Sequence, residues 1–216
     1  MSSYLICIVY QQHNNVDNVN LRPPLNLQRR HTEIGMSNLV RICLTGGPCA
    51  GKTTAIADIK QDLVQLGMKV LVVPEAATLL MKGGAFIVST GFTESQGLLF
   101  QKVLMKLQVA LEDTFIEIGK LAGSSTGSND IVILIDRGLM DGSAYVTKHQ
   151  WQALMDDLGV STIQIRDNRY DAIVHMVTAA DGAAKFYATE NGEPRYESLD
   201  EAKEKDELLR QAYMGH

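Results

Sequence analysis

The chain has 216 residues, 45% of them hydrophobic, and 20 lysines and arginines stand against 25 acidic residues. That length and apolar content allow one ordinary domain with a real core. A net charge of −5 with no basic stripe argues against a nucleic-acid partner.

Residues 1–37 are polar, rich in Asn and Gln, and broken by Pro23-Pro24. This composition predicts a disordered arm ahead of a domain spanning 38–216. "LVRICLT" (39–45) is a nearly continuous apolar run, the pattern of a strand buried on both faces. "TTAIADIKQDLVQLG" predicts a helix, with Ile56, Ile59, Leu63 and Leu66 on one face and Gly67 as its stop. "KVLVV" (69–73) is a second strand. "TESQGLLFQKVLMKLQVALEDTFIEIGKLAG" predicts a long helix capped by Thr93, followed by the loop "GSSTGSND". "IVILID" (131–136) is a third strand, "WQALMDDLG" a helix, and "AIVHMVT" (172–178) a fourth strand. The tail "SLDEAKEKDELLRQAYMGH" is a charged helix beginning at Ser198. Eight acidic residues from Glu190 to Glu207, against Arg195, Lys203 and Lys205, account for the whole charge deficit and read as a solvated face. Strands alternating with helices imply crossovers, hence an α/β fold with a parallel sheet covered on both faces.

The cysteines, Cys7, Cys43 and Cys49, show no CxxC spacing, which favours a reducing compartment. No apolar run approaches the ~20 residues that span a bilayer. The opening "MSSYLICIVYQ" lacks the basic start and small-residue cleavage site of a signal peptide. A cytoplasmic location is therefore expected.

The stretch "LTGGPCAGKTTAI" carries the chemistry. Gly46-x-x-x-x-Gly51-Lys52-Thr53 is a phosphate-binding loop placed between a strand and an amphipathic helix. Glycines let the backbone of Gly46, Gly47, Pro48, Cys49, Ala50 and Gly51 turn tightly, so that N–H groups converge on phosphate oxygens. The helix start at Lys52, Thr53 and Thr54 adds free N–H groups and the positive end of a helix dipole. Lys52 is expected to reach the outer phosphates, and the Thr53 hydroxyl to ligate Mg²⁺. Asp136, closing a hydrophobic strand in "IVILIDRG", is the expected second metal-facing oxygen, with Arg137 against phosphate or against Asp136 itself. Asp141 reads as a cap for the next helix.

Glu75 closes the second strand, where it either accepts a proton from a substrate hydroxyl or simply begins the following helix. Arg166 and Arg169, before the fourth strand, are candidates to fold over the phosphates, or else they answer Asp167 and Asp171. His175 reads as a core residue. The guanine-reading pattern Asn/Thr-Lys-x-Asp fails at Gln150 in "TKHQ", so residue chemistry leaves ATP and GTP open.

"TGGPCAGKTT", "VPEAAT", "DRGLMDGSAYV", "QWQALMDDLG", "RDNRYDAIVHMVTAADGAAKFY" and the final "MGH" occur in this order over residues 39–216. In these the chain resembles a P-loop family. That family is shared by the nicotinamide riboside kinase part of bacterial NAD regulators and by an animal TRP-channel translocation-defect protein. The resemblance implies a P-loop fold with nucleotide motifs at Gly46, Gly51, Lys52, Thr53, Asp136 and Arg137, and a carboxylate at Glu75. The second branch implies GTP and phosphoinositide binding and a peripheral role in trafficking a membrane channel. The first implies phosphate transfer to a nucleoside-like acceptor such as nicotinamide riboside. The family pattern continues beyond His216 into a strand and a further domain, so a domain without its last edge strand is expected.

Overall fold

The computed structural model describes residues 6–9, 38–85, 91–124, 130–178 and 198–214. Strands β1 (Ile6–Val9), β2 (Leu39–Thr45), β3 (Lys69–Val73), β4 (Ile131–Asp136) and β5 (Ala172–Met176) form one sheet in the order β1-β5-β2-β4-β3. The pairs β5–β2, β2–β4 and β4–β3 are parallel. β1 lies antiparallel along β5, with Ile6 opposite Met176. The expectation of a disordered arm does not anticipate this strand. The rest of that arm, residues 125–129 of the expected loop and the acidic stretch 190–197 lie outside the described residues.

The helices are α1 (Lys52–Gln65), α2 (Ala76–Lys82), α3 (Glu94–Ser124), α4 (Lys148–Leu158) and α5 (Leu199–Tyr213). Side chains alternate along a strand, so the apolar run of β4 can feed two cores. Val132 and Leu134 pack with Leu44, Met176 and α1 residues Ala55 and Ile56. Ile133 and Ile135 pack on the other face with Cys43, Ile173, Met105 of α3 and Trp151 of α4. This is the double coverage that continuous hydrophobic strands require.

Local chemistry sets the helix starts. Thr93 accepts from the Gln96 N–H at 3.3 Å, and the Gln96 side chain accepts from the Thr93 N–H at 2.9 Å. Thr147 with Gln150 and Ser198 with Glu201 form the same reciprocal box for α4 and α5. Three elements escape the sequence pattern. They are α2, a 3-10 helix over Leu139–Tyr145, and a π-helical turn over Ile163–Asp167. All are seven residues or fewer, too short for a hydrophobic period to declare itself. The acidic C-terminal helix also has a side that charge counting hides: Ala202, Asp206, Leu209 and Tyr213 are buried along one face.

Candidate functional site

β2 ends at Thr45, and the chain turns through residues 46–51 into α1. Gly46 has φ +139°, and a Cβ there would lie 2.1 Å from the Met176 carbonyl oxygen, so only glycine fits. Gly51 at φ 75° and Cys49 at φ 56° complete the turn in left-handed backbone. For Cys49 that conformation costs about 1–2 kcal/mol. Its side chain is exposed.

Lys52 is 9% exposed and folds back along the loop. Its Nζ donates to the carbonyls of Gly46 at 2.8 Å and Gly47 at 2.9 Å. Burial, then the charge of Arg137, lowers its pKa to about 8. Thr53 and Thr54, at the start of α1, are exposed. The parallel register sets Asp136 opposite Leu44, level with the loop. Burial, then the charge of Glu75, raises the Asp136 carboxyl above its usual range. Neither Thr53 nor Asp136 makes a side-chain hydrogen bond among the described residues. Both are oxygen donors suited to Mg²⁺, which takes one or two protein oxygens beside phosphate.

Arg137 follows directly, with φ 70°. A non-glycine residue in this region marks backbone strain held by its surroundings. Those surroundings are specific: its Nε donates to Glu75 Oε1 at 2.6 Å, and its Nη1 to Asp141 Oδ2 at 3.1 Å and the Gly46 carbonyl at 3.3 Å. Arg137 is thus the bridge between the loop and two carboxylates. Burial alone would raise Glu75, but Arg137 and the Thr78 hydroxyl, which donates at 2.6 Å, hold its pKa below the usual value. Glu75 also stands at the N-cap of α2, so both sequence readings of it describe the same position.

Asp141 is not the helix cap expected from sequence. It is buried, and its Oδ1 accepts from the Thr45 hydroxyl at 2.9 Å and the Tyr213 hydroxyl at 2.8 Å. It stands four residues after Arg137, and the turn between them brings the pair together. Gln108 of α3, which no motif marks, donates its amide to the Arg137 carbonyl at 2.6 Å.

Arg166 and Arg169 are placed elsewhere. Arg166 pairs with Asp167 at 2.6 Å. Arg169 pairs with the fully buried Glu112 at 2.7 Å and with Asp113 at 2.8 Å. Neither makes a hydrogen bond to the phosphate loop among the described residues. Their segment enters β5 from its amino end, whereas the loop and Asp136 stand at carboxyl ends of strands. In a parallel sheet these ends are opposite, so the structure does not bring either arginine together with the loop. Asp167 is one of the two partners expected from sequence; the other, Asp171, is taken by Arg41 at 3.0 Å.

A cleft of about 210 Å³ adjoins the Arg137 cluster. Glu75, Arg137 and Asp141 line one part, and Phe100, Leu104, Met105, Tyr145 and Trp151 line much of the rest. Its charged groups sum to −1, from two carboxylates and one guanidinium. Together the loop offers a helix N-terminus and an ammonium, and the cleft offers a largely apolar chamber that shares Arg137 with it.

Among the described residues no helix is long and apolar enough to cross a membrane. A search of curated proteins finds no match. The family model described as an AAA domain matches residues 41–216, from the third residue of β2 to the last of the chain. With its parallel sheet and P-loop, the chain therefore belongs to the AAA domain family, as a P-loop nucleotide-binding domain.

Proposed function

We propose that residues 46–54 bind the phosphates of a magnesium-complexed purine nucleoside triphosphate. The arrangement of Lys52 carries this reading. Its ammonium is buried against the loop carbonyls, while the exposed start of α1 leaves Thr53 and Thr54 open to a ligand. A glycine-rich turn that ends in a helix N-terminus, with an ammonium beside it, suits a polyanion better than any neutral ligand. Thr53 and Asp136 would hold Mg²⁺, which neutralises phosphate charge when bound. GTP is the favoured nucleotide on the strength of the resemblance to the translocation-defect branch. The same resemblance supports a regulatory role in membrane-protein trafficking and phosphoinositide association, which flotation with phosphoinositide-containing vesicles tests.

A thermal-shift panel with Mg²⁺ and ATP, GTP, ADP or GDP tests the binding reading. A ligand at 100 times its Kd adds about 2.7 kcal/mol of stability. No shift with any triphosphate, or an equal shift in Lys52→Ala, overturns it. A larger shift with ATP than with GTP overturns the GTP assignment.

The cleft favours a second reading, transfer of the γ-phosphate to a small hydroxyl compound. The acceptor oxygen would attack phosphorus as the bond to the bridging oxygen breaks, leaving the nucleoside diphosphate. Glu75, kept ionised by Arg137, would accept the hydroxyl proton. A wall charge of −1 and three aromatic rings suit a neutral or cationic acceptor, such as nicotinamide riboside, better than an anion. Nucleotide-dependent phosphorylation of nicotinamide riboside that is lost in Glu75→Gln supports this; absence of turnover in the wild type removes it.

A further inference from the structure

The C-terminal helix α5 meets the site at two points on one face. Asp206 Oδ1 accepts from the Gly47 N–H at 2.7 Å. Two turns later, Tyr213 donates to Asp141, the carboxylate that also receives Arg137. A separation of seven residues is about 10 Å along a helix and returns to the same face. Between them Leu209 is fully buried.

The approach at Gly47 is close. A Cβ on Gly47 would lie 2.8 Å from Asp206 Oδ1 and 3.3 Å from the Asp206 Cα, so the helix backbone itself presses against the loop. Asp206 is buried, and His175 Nε2 of β5 lies 3.3 Å from the same oxygen. A buried carboxylate is costly unless its lone pairs are used, and here one is committed to the loop. The carbonyls of Gly46 and Gly47 themselves receive Lys52. One peptide group of the loop is thus held at its carbonyl by the ammonium, and the neighbouring N–H by α5.

We infer that Asp206 is a positioning residue for the phosphate loop, and that α5 sets the loop's ligand-ready shape from outside the phosphate site. Asp206 does not touch the nucleotide; it fixes Gly47 so that the donors from Cys49 to Thr54 stay aligned. The inference rests on the nucleotide reading above for its affinity prediction, but not for its conformational one.

The test compares the full chain with Asp206→Ala, Asp206→Asn and Leu209→Ala. Affinity is measured by titration with Mg²⁺-ATP and Mg²⁺-GTP, and loop order by amide hydrogen exchange over residues 45–51. Asp206→Ala is expected to weaken affinity about tenfold, the scale of a hydrogen bond to a charged group. It should also speed exchange at Gly47. Asp206→Asn keeps an acceptor oxygen and should restore both to near wild type. Leu209→Ala should lower the melting temperature while leaving affinity unchanged in the folded protein, which separates loop support from general helix packing. Wild-type affinity and exchange in Asp206→Ala overturn the proposal, as do equal losses in the alanine and asparagine variants. Faster exchange in Asp206→Ala alongside a wild type that binds no triphosphate sinks the nucleotide reading and leaves the positioning role standing.

Discussion

Lys52 and Arg169 are both largely withdrawn from solvent, and both looked like phosphate ligands in the sequence. Lys52 is held by two backbone carbonyls, which carry no full charge and leave the ammonium uncompensated within its own loop. Arg169 is held by Glu112 and Asp113, two carboxylates that more than match its charge. A cation already paired has little left to offer an incoming anion. Lys52, whose hydrogen-bond partners are neutral dipoles, has more; burial, then the charge of Arg137, lowers its pKa to about 8. What separates the two segments is not residue type but the end of the parallel sheet at which each arrives.

The comparison can be broken first at Arg169. Arg169→Met leaves Glu112 fully buried without its cation, and losing one partner of a buried pair costs about 3–5 kcal/mol. Burial already pushes Glu112 above its usual range, so protonation softens the loss and about 3 kcal/mol is expected in urea unfolding. Triphosphate affinity should stay within about twofold, the scale of effects from an uninvolved site. A collapse of affinity at full folding would return Arg169 to the phosphate site.

Lys52→Ala should do the reverse. It removes a charge-assisted contact to phosphate, on the order of 100-fold in affinity or about 2.7 kcal/mol. Calorimetric titration with Mg²⁺-GTP reads this directly. Unchanged affinity would make the two cations equivalent.

The pH dependence of binding sharpens the contrast. Below pH 8 the Lys52 ammonium is already charged; above it, binding must take up a proton. Affinity should therefore fall by about tenfold per pH unit between 8 and the value the group reaches in the complex. Titration at pH 7 and pH 9.5 in buffers of different ionisation enthalpy measures both the fall and the proton uptake. A flat profile with no uptake would contradict the lowered pKa of Lys52.

The smallest effect belongs to Glu75. Its pKa in the folded protein is lowered, so its ionised pair with Arg137 stabilises the fold above the ordinary glutamate value of about 4.3. That contribution is lost as pH falls through the folded value. Between pH 7 and pH 3, urea midpoints should drop more for the wild type than for Glu75→Gln. Equal drops would show that Arg137 does not depend on this partner.

The phosphate loop was legible because its requirement is local. Glycine at 46 and 51, a lysine and a hydroxyl at fixed offsets, and a strand before a helix are all properties of adjacent residues. Strands β2, β3 and β4 were legible to the residue for a related reason: both faces pack against a core, so the apolar run and the strand coincide. The arginine segment was less legible, because attraction between arginine and phosphate belongs to residue type whereas sheet polarity belongs to the fold; only the local alternative, Arg166 with Asp167, is found in the structure. Residues that lead into a parallel strand start from the wrong end. Asp206 had no signal at all, being one acid among eight in a run that reads as solvated surface.

By itself the sequence determined the alternation that makes a parallel sheet, and the one turn able to gather amides around phosphate. Hydrophobic period and glycine spacing are short-range facts, and they are written in consecutive residues. Only the tertiary structure decided which charges meet. Arg137 to Glu75, Arg169 to Glu112 and Gly47 to Asp206 join residues 57 to 159 positions apart. A charge takes its role from whichever opposite charge packing brings within about 4 Å, and no pattern along the chain records that distance.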